Sequence, residues 1–205
     1  MTETKTSRSL WFLAAFLSVG VAGYAYWAVA AGGPPAPQVM ANLFARPWLM
    51  VHMALAGTAL AAGPLQFLPA IRRRRPLHRW IGRAYVISCL IGGVAGLTMA
   101  FGTTAGPVAA WGFGTLAVIW IVCNVEGWRM ARARRFDAHR AWMIRSFSLT
   151  FGAVMLRLYL PISQILGINF ADAYTAIAWL AWVPNLVLAE IYLRGGFTRR
   201  AQVAA

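Results

Sequence analysis

Acidic residues are scarce in this chain: five Asp and Glu stand against 19 Lys and Arg, for a formal net charge of +14. Cysteine is scarcer still. Cys89 and Cys123 are the two thiols, and both sit inside apolar stretches. With no CxxC pair and no metal-ligand spacing, they indicate neither a thiolate metal centre nor a disulfide. Also missing are a Gly-rich phosphate loop, a His-Glu-x-x-His motif and a nucleophile elbow. Ser, His and Asp never gather at one depth along the chain. No enzyme class is indicated.

What is abundant is apolar. Hydrophobic residues make up 60% of the chain and the mean hydropathy is +0.61, more than a soluble core of 205 residues uses. A bilayer must replace water as solvent for most of that surface. A pI near 11.5 would point to nucleic acid in a soluble protein. Here the arginines cluster at the ends of apolar stretches, where they anchor topology and meet anionic head groups. Lipids, including anionic head groups at the cytoplasmic face, are therefore the expected partners, and nucleic acid is not.

Six stretches approach the roughly 20 residues that cross the hydrocarbon core. They are Leu10–Ala30, Pro47–Leu68, Trp80–Phe101, Val108–Trp128, Ala141–Leu166 and Tyr174–Leu193. Trp48, Trp80, Trp111, Trp128, Trp142, Tyr174 and Tyr192 mark their ends, as interfacial aromatics do. The fold expected is all-α, a polytopic membrane bundle of six transmembrane helices, with residues 1–205 as a single domain.

The gaps set the orientation. Lys5 and Arg8, then Arg72–Arg75 and Arg79, then Arg129, Arg132, Arg134, Arg135 and Arg140, then Arg194, Arg199 and Arg200 fall in alternate gaps. Among them, the other three gaps hold only Arg46. The positive-inside rule makes the first set cytoplasmic, so both termini face the cytoplasm of a bacterial inner membrane. Lys5, Arg8, the first apolar run and Ala28-Val29-Ala30 resemble a signal peptide, but the run is long for one, and a retained helix is expected. Gly32-Gly33-Pro34-Pro35 opens the longest outer loop, and Gly106-Pro107 makes a tight outer turn. Gly92, Gly93 and Gly96 give the small-residue spacing of close helix packing. No inverted repeat or broken helix pair is legible.

A few polar residues stand out. Leu77-His78-Arg79-Trp80-Ile81-Gly82-Arg83 and Ala138-His139-Arg140-Ala141-Trp142-Met143-Ile144-Arg145 are look-alike sequences that open spans three and five, with each His-Arg pair just before its span. As plain anchors, His and Arg face phosphates and Trp sits at the glycerol level. As a site, His78 and His139 converge on a metal, a haem or a substrate. His52 lies a turn into span two between Met50 and Met53. It serves either as a packing residue or as a ligand, of haem iron or, with the two Met, of copper. Arg157 falls deep in span five, where a charge costs roughly 3 kcal/mol or more and is a functional-site hypothesis by default. It is served by backbone carbonyls, by Gln164, Asn124 or Asn185, by snorkelling, or by an anionic group brought by a ligand. Glu126 and Glu190, near cytoplasmic ends, are expected to turn inward and pair with arginines such as Arg129, Arg83 or Arg145. Gln66, Asn124 and Asn185 read as interhelical hydrogen-bonders.

Five motifs in order carry a family resemblance. They are Gly63-Pro64-Leu65-Gln66-Phe67, His78-Arg79-Trp80-Ile81-Gly82-Arg83-Ala84-Tyr85, His139-Arg140-Ala141-Trp142-Met143-Ile144-Arg145-Ser146, Leu156-Arg157-Leu158-Tyr159-Leu160-Pro161 and Trp182-Val183-Pro184-Asn185-Leu186 with Glu190. From about His52 to Glu190 the chain resembles the bacterial predicted membrane proteins of domain-of-unknown-function family 2306. The resemblance implies a polytopic membrane protein with His52, His78, His139, Arg145, Arg157, Asn185 and Glu190 as its polar set. It implies no activity.

Three functions remain. The foremost is a non-catalytic subunit, assembly factor or scaffold of a membrane complex, which needs only the bundle. The alternative is a haem b-binding or electron-transfer protein using His52, His78 and His139. The third is a small-anion or lipid-handling transporter centred on Arg157, with Asn185, Arg145, Gln66 and Glu190 as further ligand contacts; Arg157, Asn185 and at least one of His52 or Gln66 would then line one internal cavity.

Overall fold

The computed structural model describes residues 5–33 and 37–203, with side chains over 9–33 and 37–195. Pro34 and Pro35 and the side chains of Lys5, Arg8, Arg199 and Arg200, used above for the first loop and for orientation, lie outside the described part. Every element among the described residues is helical. Six helical stretches are long and apolar enough to cross a membrane: Ser9–Ala30, Ala45–Phe67, Arg75–Phe101, Pro107–Arg132, Phe136–Ile165 and Phe170–Gly195. The chain is thus the all-α polytopic protein expected. Large apolar side chains such as Phe16, Ile87, Trp111, Val122, Leu188 and Ile191 are exposed along these stretches, which suits lipid and not water.

The chain divides into two compact units, Met1–Thr104 and Ala105–Ala205. The first contains α1 (Lys5–Ala30), α2 (Pro37–Met40), a turn (Ala45–Leu49) kinked at Arg46, α3 (Met50–Phe67), α4 (Pro69–Arg73) and α5 (Arg75–Phe101). Helix α3 lies between α1 and α5. Small residues set its distance from α1: a Cβ at Gly57 would lie 3.3 Å from Ala25 Cβ. Tyr26 and Thr58 share a hydrogen bond of 2.7 Å across the same seam.

The second unit contains α6 (Pro107–Arg132), α7 (Phe136–Thr150), α8 (Gly152–Ile165), α9 (Phe170–Leu180) and α10 (Val183–Val203). Gly106, at φ +87°, turns the chain in the left-handed region before Pro107 starts α6. Helix α6 packs on α7 and α9, α7 on α10, and α8 on α9.

Two sequence expectations are corrected. Helices α5 and α7 begin at Arg75 and Phe136, each five residues before the apolar run of its span. Arginine is a good helix former and its side chain extends into the head-group layer, so the helix outlasts the hydropathy. His78 and His139 are therefore each the fourth residue of a helix, not residues before one. Spans five and six also each carry a local break in the helical hydrogen-bond ladder, although Phe151 and Ala181 keep right-handed helical dihedrals and each span remains one crossing. The first is interrupted at Phe151, where Gly152 follows, and the second at Ala181 and Trp182. Pro184 has no N–H to offer the Leu180 carbonyl, which accounts for the second break. The two breaks face each other, since a Cβ on Gly152 would lie 3.1 Å from the Ala181 carbonyl oxygen.

Candidate functional site

In the first unit the polar residues fall at opposite ends of α3. His52 and Gln66 are 14 positions apart, about 21 Å along a helix. His52 Nδ1 is 2.8 Å from the Gly92 carbonyl oxygen. The glycines of α5 make room for the ring: a Cβ at Gly96 would lie 3.0 Å from His52 Nδ1. A carbonyl only accepts, so Nδ1 carries the hydrogen and, in the neutral ring, Nε2 carries the lone pair.

Gln66 brings the other end together. Its amide nitrogen, turned toward α5, donates to His78 Nδ1 at 2.8 Å and to the His78 carbonyl at 3.3 Å, and its oxygen accepts from Gly82 N at 3.3 Å. The amide thus spans one rung of the α5 ladder, and Gly82 has no side chain to exclude it. Because His78 Nδ1 accepts, its hydrogen sits on Nε2, the reverse of His52. Arg83 lies over the Trp80 ring at 5.2 Å.

The second unit repeats part of this arrangement. His139 Nδ1 is 2.8 Å from the Gly127 carbonyl oxygen of α6. Arg145 lies over the Trp142 ring at 4.9 Å. Its Nε donates to Glu190 Oε1 and its Nη2 to Oε2 at 3.1 Å, a forked pair joining α7 to α10. Glu126 pairs with Arg129 one turn on at 2.5 Å. Glu126 and Glu190 are therefore both paired, as the cost of an exposed carboxylate in lipid requires.

Deeper in, Asn185 Nδ2 donates to the Ala181 carbonyl at 3.0 Å and to the Ser148 carbonyl at 3.3 Å. Arg157 Nη1 donates to the Ala153 carbonyl at 3.1 Å. The guanidinium is folded back along α8 toward the break at Phe151, the direction helical side chains favour. Asn185 and Arg157 thus hold carbonyls on either side of that break.

One constellation escaped the sequence reading. Trp120 Nε1 donates to Thr150 Oγ1 at 2.9 Å, Thr150 Oγ1 to the Ser146 carbonyl at 2.9 Å, Ser146 Oγ to Asn124 Oδ1 at 3.1 Å, and Asn124 Nδ2 to the Trp120 carbonyl at 2.8 Å. The four residues form a buried ring between α6 and α7. The signal was two polar pairs at i and i+4 on neighbouring spans. Of the candidate residues, then, Gln66 meets His78 and Arg145 meets Glu190. His52, His139, Arg157 and Asn185 are each bonded to backbone carbonyls. Met53 is buried in a cluster that Met50 packs on, while the ring of His52 between them in sequence goes to α5. Among the described residues no three His, Cys, Asp or Glu gather in a metal-binding group.

Residues 49–193 match the family model described as "Predicted membrane protein (DUF2306)". The matched stretch contains all eight candidate residues, and the chain belongs to this family. No curated protein and no solved structure matches.

Proposed function

We propose that this member of the DUF2306 family is a non-catalytic subunit, assembly factor or scaffold of a complex in a bacterial inner membrane. Residues 1–205 act as one transmembrane domain with both termini in the cytoplasm. The reading is carried by the use of the polar side chains in the spans. The Trp120–Asn124–Ser146–Thr150 ring, the Arg145–Glu190 fork and the Gln66 bridge all join helix to helix. Anionic lipid head groups suit the basic loop, where Pro69, Arg72 and Arg73 border a shallow depression of about 280 Å³. Native mass spectrometry from mild detergent tests the reading. A colourless protein in fixed stoichiometry with a second membrane polypeptide is expected. A protein that remains monomeric when extracted from its native membrane, and carries a pigment, overturns it.

A second reading is haem b binding, favoured by the histidine tautomers. His52 and His139 each place Nδ1–H on a carbonyl, the tautomer in which Nε2 carries the lone pair that iron accepts. His78 holds the opposite tautomer and is the weaker candidate. A Soret band that weakens in His52→Ala or in His139→Ala but is kept in His78→Ala supports it; a colourless preparation removes it.

The third reading is a small-anion or lipid transporter centred on Arg157, whose depth within span five is a functional-site signal by default. Arg157→Ala is expected to insert normally and lose anion binding, and Arg157→Lys to restore part of it, because Lys lacks the planar fork. Unchanged anion binding in Arg157→Ala ends it.

A further inference from the structure

The chain has eight methionines, and four of them meet at the end of the first unit remote from Arg72–Arg75. Met53 is buried with Ala28, Ala45 and Leu49, and Met40, Met50 and Met99 pack on that cluster. They come from three segments, α2, the first turn of α3 and the last turn of α5. Bare backbone lies beside two of them: a Cβ on Gly33 would stand 2.9 Å from Met40 Sδ and 3.6 Å from Met50 Cε. The loop is fastened in place. Asn42 Nδ2 donates to the Met99 carbonyl at 2.8 Å, and Leu43 N to the Gly102 carbonyl at 2.9 Å. Met40 is thereby held against the end of α5.

We propose that this cluster is a binding site for a soft monovalent cation, Cu(I) or its analogue Ag(I), held by the thioether sulfurs of Met40, Met50, Met53 and Met99. Thioethers are neutral, polarisable donors that select soft cations over Zn(II), Mg(II) or Ca(II). Methionine has three rotatable bonds, which lets thioethers carried by three segments of one cluster reorient toward a shared ion. The surrounding Ala28, Ala45 and Leu49 supply an apolar wall that a singly charged, weakly hydrated ion tolerates better than a divalent one. Arg46, the nearby positive charge, is bonded through Nη2 to the Gly32 carbonyl at 2.7 Å. The set proposed is thioether alone: the His52 ring is directed to the Gly92 carbonyl of α5 and is not counted among the ligands.

The test uses the full-length protein in detergent and chloride-free buffer. Ag(I) is titrated by calorimetry, and Cu(I) by competition against bicinchoninate. One equivalent is expected to bind, with affinity the same within about twofold at about pH 5.5 and 7.5, because thioethers have no proton to displace. A site built on His or Cys would lose about tenfold or more over that range, and such a loss overturns the ligand set. The pair Met40→Leu with Met50→Leu conserves volume, so the fold should persist while Ag(I) affinity falls by about tenfold or more. Met155→Leu, in α8, should change nothing. If the double variant fails to fold, Met99→Leu alone serves, with the same direction expected. No Ag(I) uptake by the native chain, or equal affinity in a folded Met→Leu variant, overturns the proposal.

Discussion

Ser146 Oγ donates to Asn124 Oδ1 at 3.1 Å, and this contact closes the buried ring that joins α6 to α7. Its removal should register as a coupling and not as two separate losses. Asn124→Leu is expected to destabilise the protein by about 1 kcal/mol, and the Asn124→Leu/Ser146→Ala cycle to show a coupling of about 0.6 kcal/mol. Reversible unfolding in mixed detergent measures both. A coupling of zero would mean the two residues act independently.

The two acids should differ in what they contribute. Glu126 is paired with Arg129, whose side chain is 64% exposed, whereas Arg145 and Glu190 are 23% and 33% exposed. Glu126→Gln should therefore shift stability by less than about 0.5 kcal/mol. Glu190→Gln strands a more buried guanidinium and should cost about 1–2 kcal/mol. The same unfolding measurement ranks them, and a larger loss at Glu126 would refute the ranking.

Glycine substitutions should separate packed from open helix faces. A Cβ on Gly112 would meet Ala178 Cβ and its carbonyl oxygen, each at 2.9 Å, and backbone cannot give way cheaply. Gly112→Ala should cost about 1–3 kcal/mol. Gly20 has nothing within 4 Å of its Cβ position, so Gly20→Ala should be neutral or stabilise by up to about 1 kcal/mol. Thermal midpoints in detergent read both, and a Gly112→Ala midpoint at the native value contradicts the packing.

Orientation is directly testable. A single cysteine at Arg73→Cys, with Cys89 and Cys123 replaced, should resist an impermeant thiol reagent added to intact spheroplasts and react after permeabilisation. Efficient labelling in intact spheroplasts would invert the topology.

The spans were legible because the bilayer imposes a length on every one of them, and no tertiary detail changes that. The starts of α5 and α7 were not, because arginines that end an apolar run do not end a helix. The breaks at Phe151 and Ala181 were missed for another reason. Gly152 and Pro184 were visible, but only the approach of α8 to α9 turns a lone glycine into an interruption. Of the polar set, the Arg145–Glu190 and Glu126–Arg129 pairs followed from charge and depth. The ring through Trp120 and Thr150 did not, because hydroxyls and indoles within a span carry no charge to flag them. Met40 and Met99 lie 59 positions apart in sequence, and nothing along the chain announces that they share a cluster.

The look-alike stretches that open α5 and α7 are wired in opposite senses. His139 donates through Nδ1 to the Gly127 carbonyl. His78 accepts through Nδ1 from the Gln66 amide, which also takes the Gly82 N–H. One imidazole therefore asks only for a bare carbonyl, which any neighbouring helix offers. The other asks for a side chain that carries a donor and an acceptor together. Two segments that read almost alike thus tolerate very different neighbours: one fits against backbone alone, and the other only against an amide.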